Sequence, residues 1–316
     1  MAAGLAGCGR DSTPAAVTGG NEQIKVVATF YPLYEFTARV GGDGVAVESF
    51  TPTGVEPHEW EPTPRDMARL TEADLIVYNG AGFEPWLDKQ IPDLAAGGVK
   101  VLEATGGMDL IKEKPGYLGA GNPEHHHDSG HEHSHDHAFI DGDPHFWLDP
   151  ILVMAVVDAI RDALTDLDPA GAAAYSANAA SFRAELEALD AEYRAAAGTW
   201  QRREIVTSHD AFAYLARRYN LRQAPVLGLS PEAEPSPARM KEIVDFAREH
   251  DVKYIFFETL VSPRLAEAVA REAGAGVLVL HTLENLTAEE LAAGENYLTI
   301  MRSNLANLEK ALGEAK

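Results

Sequence analysis

Residues 170–200 read AGAAAYSANAASFRAELEALDAEYRAAAGTW. This stretch is rich in Ala, Glu, Leu and Arg, which favour helix, and it contains no Pro and no Gly between Gly171 and Gly198. Asp168 and Pro169 provide a helix start. The stretch therefore predicts an uninterrupted helix of roughly 30 residues, about 45 Å long and far longer than a mean globular helix.

The segments on both sides of this helix alternate apolar strand patterns with amphipathic helix patterns. The predicted strands are residues 24–30, 45–50, 75–79, 99–103, 204–207, 223–227, 253–257 and 277–280. The predicted helices are residues 33–40, 64–72, 84–90, 150–167, 211–219, 237–250, 263–273 and 296–312. Such alternation predicts parallel α/β sheets, so we expect two α/β lobes joined by one long rigid connecting helix.

The expected domain organisation follows from these patterns. It comprises a flexible tether (residues 1–22), an N-terminal lobe (23–167), the connecting helix (168–199) and a C-terminal lobe (200–316). With 316 residues, 46% of them hydrophobic, the chain is long enough for two cores. Its net charge of −23 argues against a nucleic-acid partner, because phosphate binding requires basic patches.

The single cysteine, Cys8, excludes an intrachain disulfide. The residues Leu5-Ala6-Gly7-Cys8 resemble the lipobox at which bacterial lipoprotein signal peptides are cut, and the Gly/Ser/Thr/Pro-rich residues up to Asn21 suit a tether. The alternative is a chance tetrapeptide, since no charged n-region or long apolar h-region precedes it. We expect a longer leader before the printed start and an extracytoplasmic protein anchored to the membrane through a lipid on Cys8.

Histidines are concentrated in one internal tract, residues 124–137, which has no apolar periodicity. Its members are His125, His126, His127, His131, His133, His135 and His137. Because the tract is internal and mixed with Asp, Glu, Ser and Gly, a metal-related segment is favoured over a purification tag. We expect a disordered loop at about residues 121–138 that binds extra metal weakly, the alternative being a dispensable insert.

Four other residues are candidate metal ligands, because each follows a predicted strand or precedes a helix, where α/β sheets place ligand sites. They are His58, His145, His209 and Glu284. Two come from each half of the chain, so a cleft between the halves would gather them. Three neutral imidazoles and one carboxylate form a complete tetrahedral set for zinc.

The four candidates differ in how well the local sequence supports them. Pro57-His58-Glu59-Trp60 and Pro144-His145-Phe146-Trp147 share an unusual form, a proline followed by a histidine close to a tryptophan. His209 has a competing interpretation as the neighbour of a helix cap. The fourth position stays open, because His281 or a water molecule competes there with Glu284, and Glu289 and Glu290 are nearby solvated acids.

Several motifs in order, from about Ile24 to the C-terminus, carry a family resemblance. They are VATFYPLYEF (27–36), GVEPHEWEPTPRD (54–66), LIVYNGAGFEPWL (75–87), DPHFWLDP (143–150), VTSHDAFAYLARRYNL (206–221), SPRLAEAVAREAGA (262–275) and NYLTIMRSNLANLEKAL (296–312). The chain resembles the substrate-binding lipoproteins of bacterial ABC importers for zinc and manganese, the cluster A-I family, and is most similar to its zinc branch. Many members of that branch carry a His-rich insert at the same place.

The resemblance implies two α/β lobes joined by a rigid helix, with a metal ion buried in the cleft. By position, it implies the ligands His58, His145, His209 and Glu284. Manganese-type members tend to have a carboxylate at the position of His209, so the resemblance favours Zn²⁺ over Mn²⁺. It implies a non-enzymatic, monomeric binding protein that delivers zinc to a membrane permease.

Two functions from other classes remain as alternatives. A zinc hydrolase would use three of these ligands, an open water position and Glu284 as a general base, but the chain has no HExxH helix. A surface adhesin is the other alternative, since exposed binding proteins acquire adhesive roles.

Overall fold

The computed structural model describes residues 23–112, 142–231 and 234–313, so Cys8 and the histidine tract lie outside the described residues. The first half contains β1 (Ile24–Ala28), α1 (Tyr31–Gly41), β2 (Val45–Ser49), α2 (Pro64–Leu70), β3 (Leu75–Tyr78), α3 (Pro85–Asp88), α4 (Ile91–Ala96) and β4 (Lys100–Glu103). Two long helices follow, α5 (Pro150–Leu167) and α6 (Ala172–Ala197). The second half contains β5 (Glu204–Thr207), α7 (Ala213–Tyr219), β6 (Arg222–Pro225), α8 (Pro237–Glu249), β7 (Tyr254–Phe257), α9 (Arg264–Ala273), β8 (Gly276–Val279), α10 (Ala288–Ala292) and α11 (Tyr297–Leu312).

The two halves contain parallel sheets with the same strand order. The first sheet runs β2-β1-β3-β4 and the second runs β6-β5-β7-β8, and every strand pair is parallel. In each sheet the strand order reverses between the two central strands, because successive strands are added first to one side and then to the other. Open α/β sheets bind ligands at this switch point. The expected pair of parallel α/β lobes is confirmed.

The long helix α6 has 26 residues, about 39 Å at the usual rise, and begins at Ala172 rather than at Asp168. The delay has a local cause, because Asp168 closes a turn of its own. Its side chain accepts a hydrogen bond from the Ala170 N–H (3.1 Å) and another from the Tyr175 hydroxyl (3.0 Å). The predicted boundaries of the connecting segment and the lobes stay predictions.

The largest core cluster lies around α6 and includes buried side chains from both halves of the chain. Helix α6 packs against α1, α5, α7 and α11. Two smaller clusters contain residues of the first sheet with α2 and α4, and of the second sheet with α8 and α9. Because one continuous apolar core surrounds α6, the helix contributes to both halves instead of only linking them.

Other differences from the expected elements are local. Helix α1 begins at Tyr31 with Pro32 in its first turn, a position that tolerates a residue without an N–H. The predicted helix 84–90 is shorter, since α3 covers only Pro85–Asp88. Helices α4 and α10 were not predicted, although Thr287 and Glu290 form a capping box at the start of α10. Across the described ranges, no helix combines the length and apolar character that membrane crossing requires.

Candidate metal centre

The four candidate ligands converge at the carboxyl ends of the two sheets. His58 lies in the loop after β2, and His209 lies directly after β5. His145 precedes a short 3₁₀ helix, Phe146–Leu148, that leads into α5. Glu284 lies in the loop between β8 and α10. One ligand atom from each of the four lies within 4.8 Å of all the others.

Four of the six distances between these atoms are those of a small tetrahedron. The Nε2 atoms of His58 and His145 are 3.3 Å apart. Oε1 of Glu284 lies 3.4 Å from Nε2 of His58, 3.3 Å from Nε2 of His145 and 3.4 Å from Nε2 of His209. Tetrahedral zinc bonds of about 2.0–2.1 Å correspond to ligand–ligand edges of about 3.3–3.4 Å. These four edges have the length expected around a tetrahedral zinc ion, and the two remaining edges, from His209 Nε2 to the other two Nε2 atoms, are within 4.8 Å.

The ligand atoms are buried and incompletely satisfied. The side chains of His145, His209 and Glu284 are fully buried, and that of His58 is 9% exposed. His209 Nε2 and Glu284 Oε1 have no hydrogen-bond partner among the described residues. Buried polar atoms are normally paired, so two such atoms that face one another across a shared centre indicate a site for a cation.

Two of the histidines follow the same acid-Pro-His pattern, and in both the acid holds the histidine backbone. Glu56 Oε1 accepts the His58 N–H at 3.0 Å, and Asp143 Oδ1 accepts the His145 N–H at 2.9 Å. Asp143 also reaches the His145 ring, with Oδ1 lying 2.8 Å from Nδ1. A hydrogen bond at Nδ1 fixes the tautomer that leaves Nε2 free to bind metal.

His209 is oriented by a residue from the neighbouring strand of the second sheet. Glu258 follows β7, and its Oε2 lies 2.7 Å from His209 Nδ1 while its Oε1 accepts the His209 N–H at 3.1 Å. Strands β5 and β7 are the central pair at which the strand order reverses. The reversal point of the second sheet therefore holds both a candidate ligand and the carboxylate that orients it.

The charges of the site adjust the pKa values of its members in opposite directions. Burial alone lowers the pKa of His209, but the carboxylates of Glu258 and Glu284 outweigh it and raise the pKa well above its usual value. Burial also lowers the pKa of His145, but the Asp143 carboxylate outweighs this effect, so the pKa of His145 is raised. Burial would raise the pKa of Glu284, yet the three histidines hold it well below its usual range. Burial lowers the pKa of His58.

Glu56 differs from the other acids of the site. Burial, reinforced by the nearby Glu284 charge, raises the pKa of Glu56 to about 9. Glu56 is not among the four residues whose ligand atoms converge. At neutral pH it is therefore an uncharged carboxyl group that supports the His58 backbone.

Glu284, and not His281, belongs to the group of converging side chains. The His281 ring is engaged elsewhere, because its Nδ1 accepts the Leu283 N–H at 2.8 Å and its Nε2 lies 3.1 Å from the Thr259 hydroxyl. Leu283 has a left-handed backbone (φ 62°), which is unusual for a branched residue and directs the chain into Glu284. Glu290 belongs to the cap of α10.

Sequence reasoning missed the supporting acids Glu56, Asp143 and Glu258. A signal for the first two was present, since each precedes a candidate histidine in an acid-Pro-His tripeptide. Glu258 directly follows the apolar run of β7. Its place at the carboxyl end of a central strand is where α/β sheets position ligand-binding groups, and this could have identified it. Its contact with His209 spans 49 residues, which no local pattern contains.

The chain is similar in sequence to proteins of zinc uptake. A sequence model of the family described as the periplasmic component A of the zinc-uptake complex, ZnuA, matches residues 26–311. The high-affinity zinc uptake system protein ZnuA of Bacillus subtilis is 39% identical over 308 residues, covering 98% of this chain and 93% of that protein.

Solved structures give the same result. The Zn(II)-bound ZnuA-like domain of AdcA from Streptococcus pneumoniae has a TM-score of 0.77 at 35% identity, covering 93% of this chain and all of the domain. The chain spans only 56% of the whole AdcA lipoprotein of that species. The laminin-binding protein Lmb of Streptococcus agalactiae, described as bifunctional in adhesion and metal transport, has a TM-score of 0.77 at 34% identity, covering 91% of this chain and 99% of that chain.

Proposed function

The chain belongs to the family of periplasmic zinc-uptake component A proteins, and from this premise we propose that it captures Zn²⁺ outside the cytoplasm and delivers it to the permease of an ABC importer. The relative that supports this most directly is the zinc uptake protein of Bacillus subtilis, which the chain covers almost completely. Zinc is the cargo in this proposal, and the chain acts by binding and release.

We propose His58, His145, His209 and Glu284 as the zinc ligands. The observation that carries the proposal is the set of 3.3–3.4 Å edges between their Nε2 and Oε1 atoms. The hydrogen bonds of Asp143 and Glu258 to the Nδ1 atoms support it, because metal-binding histidines usually present their second nitrogen to a carboxylate.

The ligand chemistry favours Zn²⁺ over Mn²⁺ as cargo. Imidazole nitrogen suits zinc, whereas Mn²⁺ prefers oxygen ligands and a larger coordination number. The site offers three nitrogens and one oxygen in a closed arrangement. Manganese would therefore bind with fewer of its preferred ligands than zinc.

The same arrangement disfavours a zinc hydrolase. Catalytic zinc keeps one position for water, and a general base stands beside it. Here the carboxylate that a hydrolase would use as base, Glu284, lies at ligand distance from all three imidazoles. The proposal therefore assigns transport and no catalysis to this chain.

Anchoring and assembly form a further part of the proposal. Cys8 lies outside the described residues, and its lipidation rests on the Leu5-Ala6-Gly7-Cys8 tetrapeptide. A lipid on Cys8 would hold the protein at the outer face of the membrane, close to the permease. We propose that it acts there as a monomer.

The ligand assignment is tested by competition with a zinc chelator. His209→Ala should weaken zinc binding by at least about 100-fold, because loss of groups that merely orient a ligand already costs about 10–100-fold. His250→Ala is the matched control, since His250 follows α8 and stacks on Phe246 away from the site. A His209→Ala protein with the zinc affinity of the parent protein would overturn the assignment.

A second candidate function is adhesion to laminin, which the likeness to the bifunctional Lmb protein favours. Immobilised laminin measured by biolayer interferometry provides the test. Saturable laminin binding that is the same for the parent protein and for the His209→Ala variant would support an adhesive surface separate from the zinc site. Absence of binding at micromolar protein would exclude it.

A further inference from the structure

Among the four proposed ligands, His58 has the most exposed side chain. It is 9% exposed, whereas the other three ligand side chains are fully buried. The loop before it, residues 51–58, carries an exposed segment at residues 52–54. Among the proposed ligands, the one nearest to solvent is therefore carried by this loop, which we call the His58 loop.

One side chain fastens the His58 loop to the loop that carries Glu284. The amide Nδ2 of Asn285 donates to the carbonyl oxygens of Pro52 (2.7 Å) and Val55 (2.9 Å). The backbone adds a third bond, from the Gly54 N–H to the Leu286 carbonyl (2.9 Å). Both partners of the Asn285 side chain are carbonyl oxygens, so the group that faces them has to be the NH₂ donor.

Asn285 projects from a rigid base. His281, four residues before it, is clamped by Asn304 of α11, which accepts the His281 N–H at 2.7 Å and donates to the His281 carbonyl at 2.8 Å. Asn285 itself is only 3% exposed, so water competes weakly for its hydrogen bonds. The loop that carries Glu284 is thus tied to α11 through His281, so the His58 loop is the one that moves when the two Asn285 hydrogen bonds break.

His145 is held by a different set of contacts. The Tyr214 hydroxyl donates to the Asp143 carbonyl at 2.7 Å, and Arg218 forms a two-pronged ion pair with Asp149 at 2.8–2.9 Å. Trp147 Nε1 donates to the Thr282 carbonyl at 2.7 Å. None of these contacts involves the His58 loop, and none is made by the Asn285 side chain, whose two inter-loop hydrogen bonds both go to the His58 loop.

We propose that Asn285 is a positioning residue for zinc exchange. Its two hydrogen bonds keep the His58 loop closed over the bound ion, and their breaking precedes zinc release. The inference rests on the proposed zinc site and adds to it the residue that sets how fast the ion leaves.

The test is the rate of zinc dissociation into excess chelator, measured by stopped flow. Asn285→Asp replaces the donor with an isosteric carboxylate that faces two carbonyl oxygens, so zinc should leave at least about tenfold faster. Asn285→Ala, which only removes the two bonds, should act in the same direction. The matched control is Asn178→Asp, since Asn178 donates to the Val40 carbonyl (3.0 Å) far from the site, and its zinc dissociation rate should equal that of the parent.

A double-mutant cycle separates positioning from general loosening. In a His58→Ala background, Asn285→Asp should change the dissociation rate by less than about twofold, because the loop no longer carries a ligand. An equal acceleration in both backgrounds, or a parental rate in both Asn285 variants, would overturn the inference. If the parent protein itself bound no zinc tightly, the proposed function would fail instead, so the two failures are distinct.

Discussion

At the scale of single residues, protons compete with zinc for the imidazoles. The pKa of His209 is raised well above its usual value, and that of His145 is also raised. Burial lowers both pKa values, but the neighbouring carboxylates of Glu258, Asp143 and Glu284 stabilise the charged rings by more. The pKa of Glu284 is lowered, so this carboxylate stays ionised through the same range. The pH dependence of zinc binding therefore belongs to the histidines.

This charge pattern predicts proton release on zinc binding. Zinc binds neutral imidazole, and His209 carries a proton at neutral pH in the zinc-free protein, so we expect release of about one to two protons per zinc at pH 7. Affinity should rise with pH until the raised pKa of His209 is passed, and fall on acidification. Calorimetry in buffers of different ionisation enthalpy measures the number of protons. A value of zero at pH 7 would contradict the charge assignment.

Glu56 offers a second test at the same scale. Because the pKa of Glu56 is raised to about 9, its carboxyl group is neutral at pH 7. Glu56→Gln keeps the acceptor for the His58 N–H and should leave zinc affinity within about threefold of the parent, because the amide has nearly the size of the protonated carboxyl group and is equally uncharged. Chelator competition measures it. A tenfold loss would mean that Glu56 is charged and interacts directly with the ion.

The sequence indicated those features of the site that have a local sequence pattern, and it missed those that depend on contacts between distant residues. His58 and His145 became candidates through a proline and a tryptophan in their own tetrapeptides. The sequence did not distinguish Glu284 from His281, whereas in the structure only Glu284 converges with the three histidines and His281 accepts the Leu283 N–H instead. The two hydrogen bonds of Asn285 to the His58 loop join residues that are 230 and 233 positions apart in the chain, so no local sequence pattern predicts them.

At the scale of elements, α6 is both connector and core. Its buried face carries Tyr175, Ala179, Phe182, Leu186, Leu189, Asp190, Tyr193, Ala196 and Ala197. The sequence predicted the helix well because helix propensity is summed over many residues. It did not predict that the helix starts four residues late, since the Asp168 turn depends on Tyr175 one helical turn into α6.

This packing predicts an asymmetric response to substitution on α6. Leu186→Ala removes a fully buried side chain and should lower the free energy of unfolding by about 2–5 kcal/mol. The control Glu187→Ala lies on the exposed face and should change it by no more than about 0.5 kcal/mol. Denaturant unfolding should be measured on zinc-free protein, because bound zinc adds stability. Equal effects would show that α6 does not form the core.

At the scale of the whole molecule, the ends of the segment that contains the histidine tract lie side by side. The Asp143 N–H donates to the Ile111 carbonyl at 2.9 Å, so the chain leaves and returns at one place next to the His145 segment. The intervening residues 113–141 lie outside the described part of the chain.

We therefore expect the histidine tract to be separable from the tight site. Deleting residues 124–137 should leave one tightly bound zinc and remove only weaker binding, because the four proposed ligands are unaffected and a shorter loop closes at little entropic cost. Native mass spectrometry at increasing zinc concentration gives both numbers. Loss of the tightly bound ion would place part of the tract in the main site.

The central claim is that one zinc ion binds between the two lobes through His58, His145, His209 and Glu284. A crystal structure of the zinc-loaded protein, with anomalous scattering recorded on both sides of the zinc edge, tests it most directly. The geometry predicts one anomalous peak bonded at about 2.0–2.2 Å to three Nε2 atoms and to Glu284 Oε1. A zinc ion completed by His281 or by water, with Glu284 turned away, would contradict the claim.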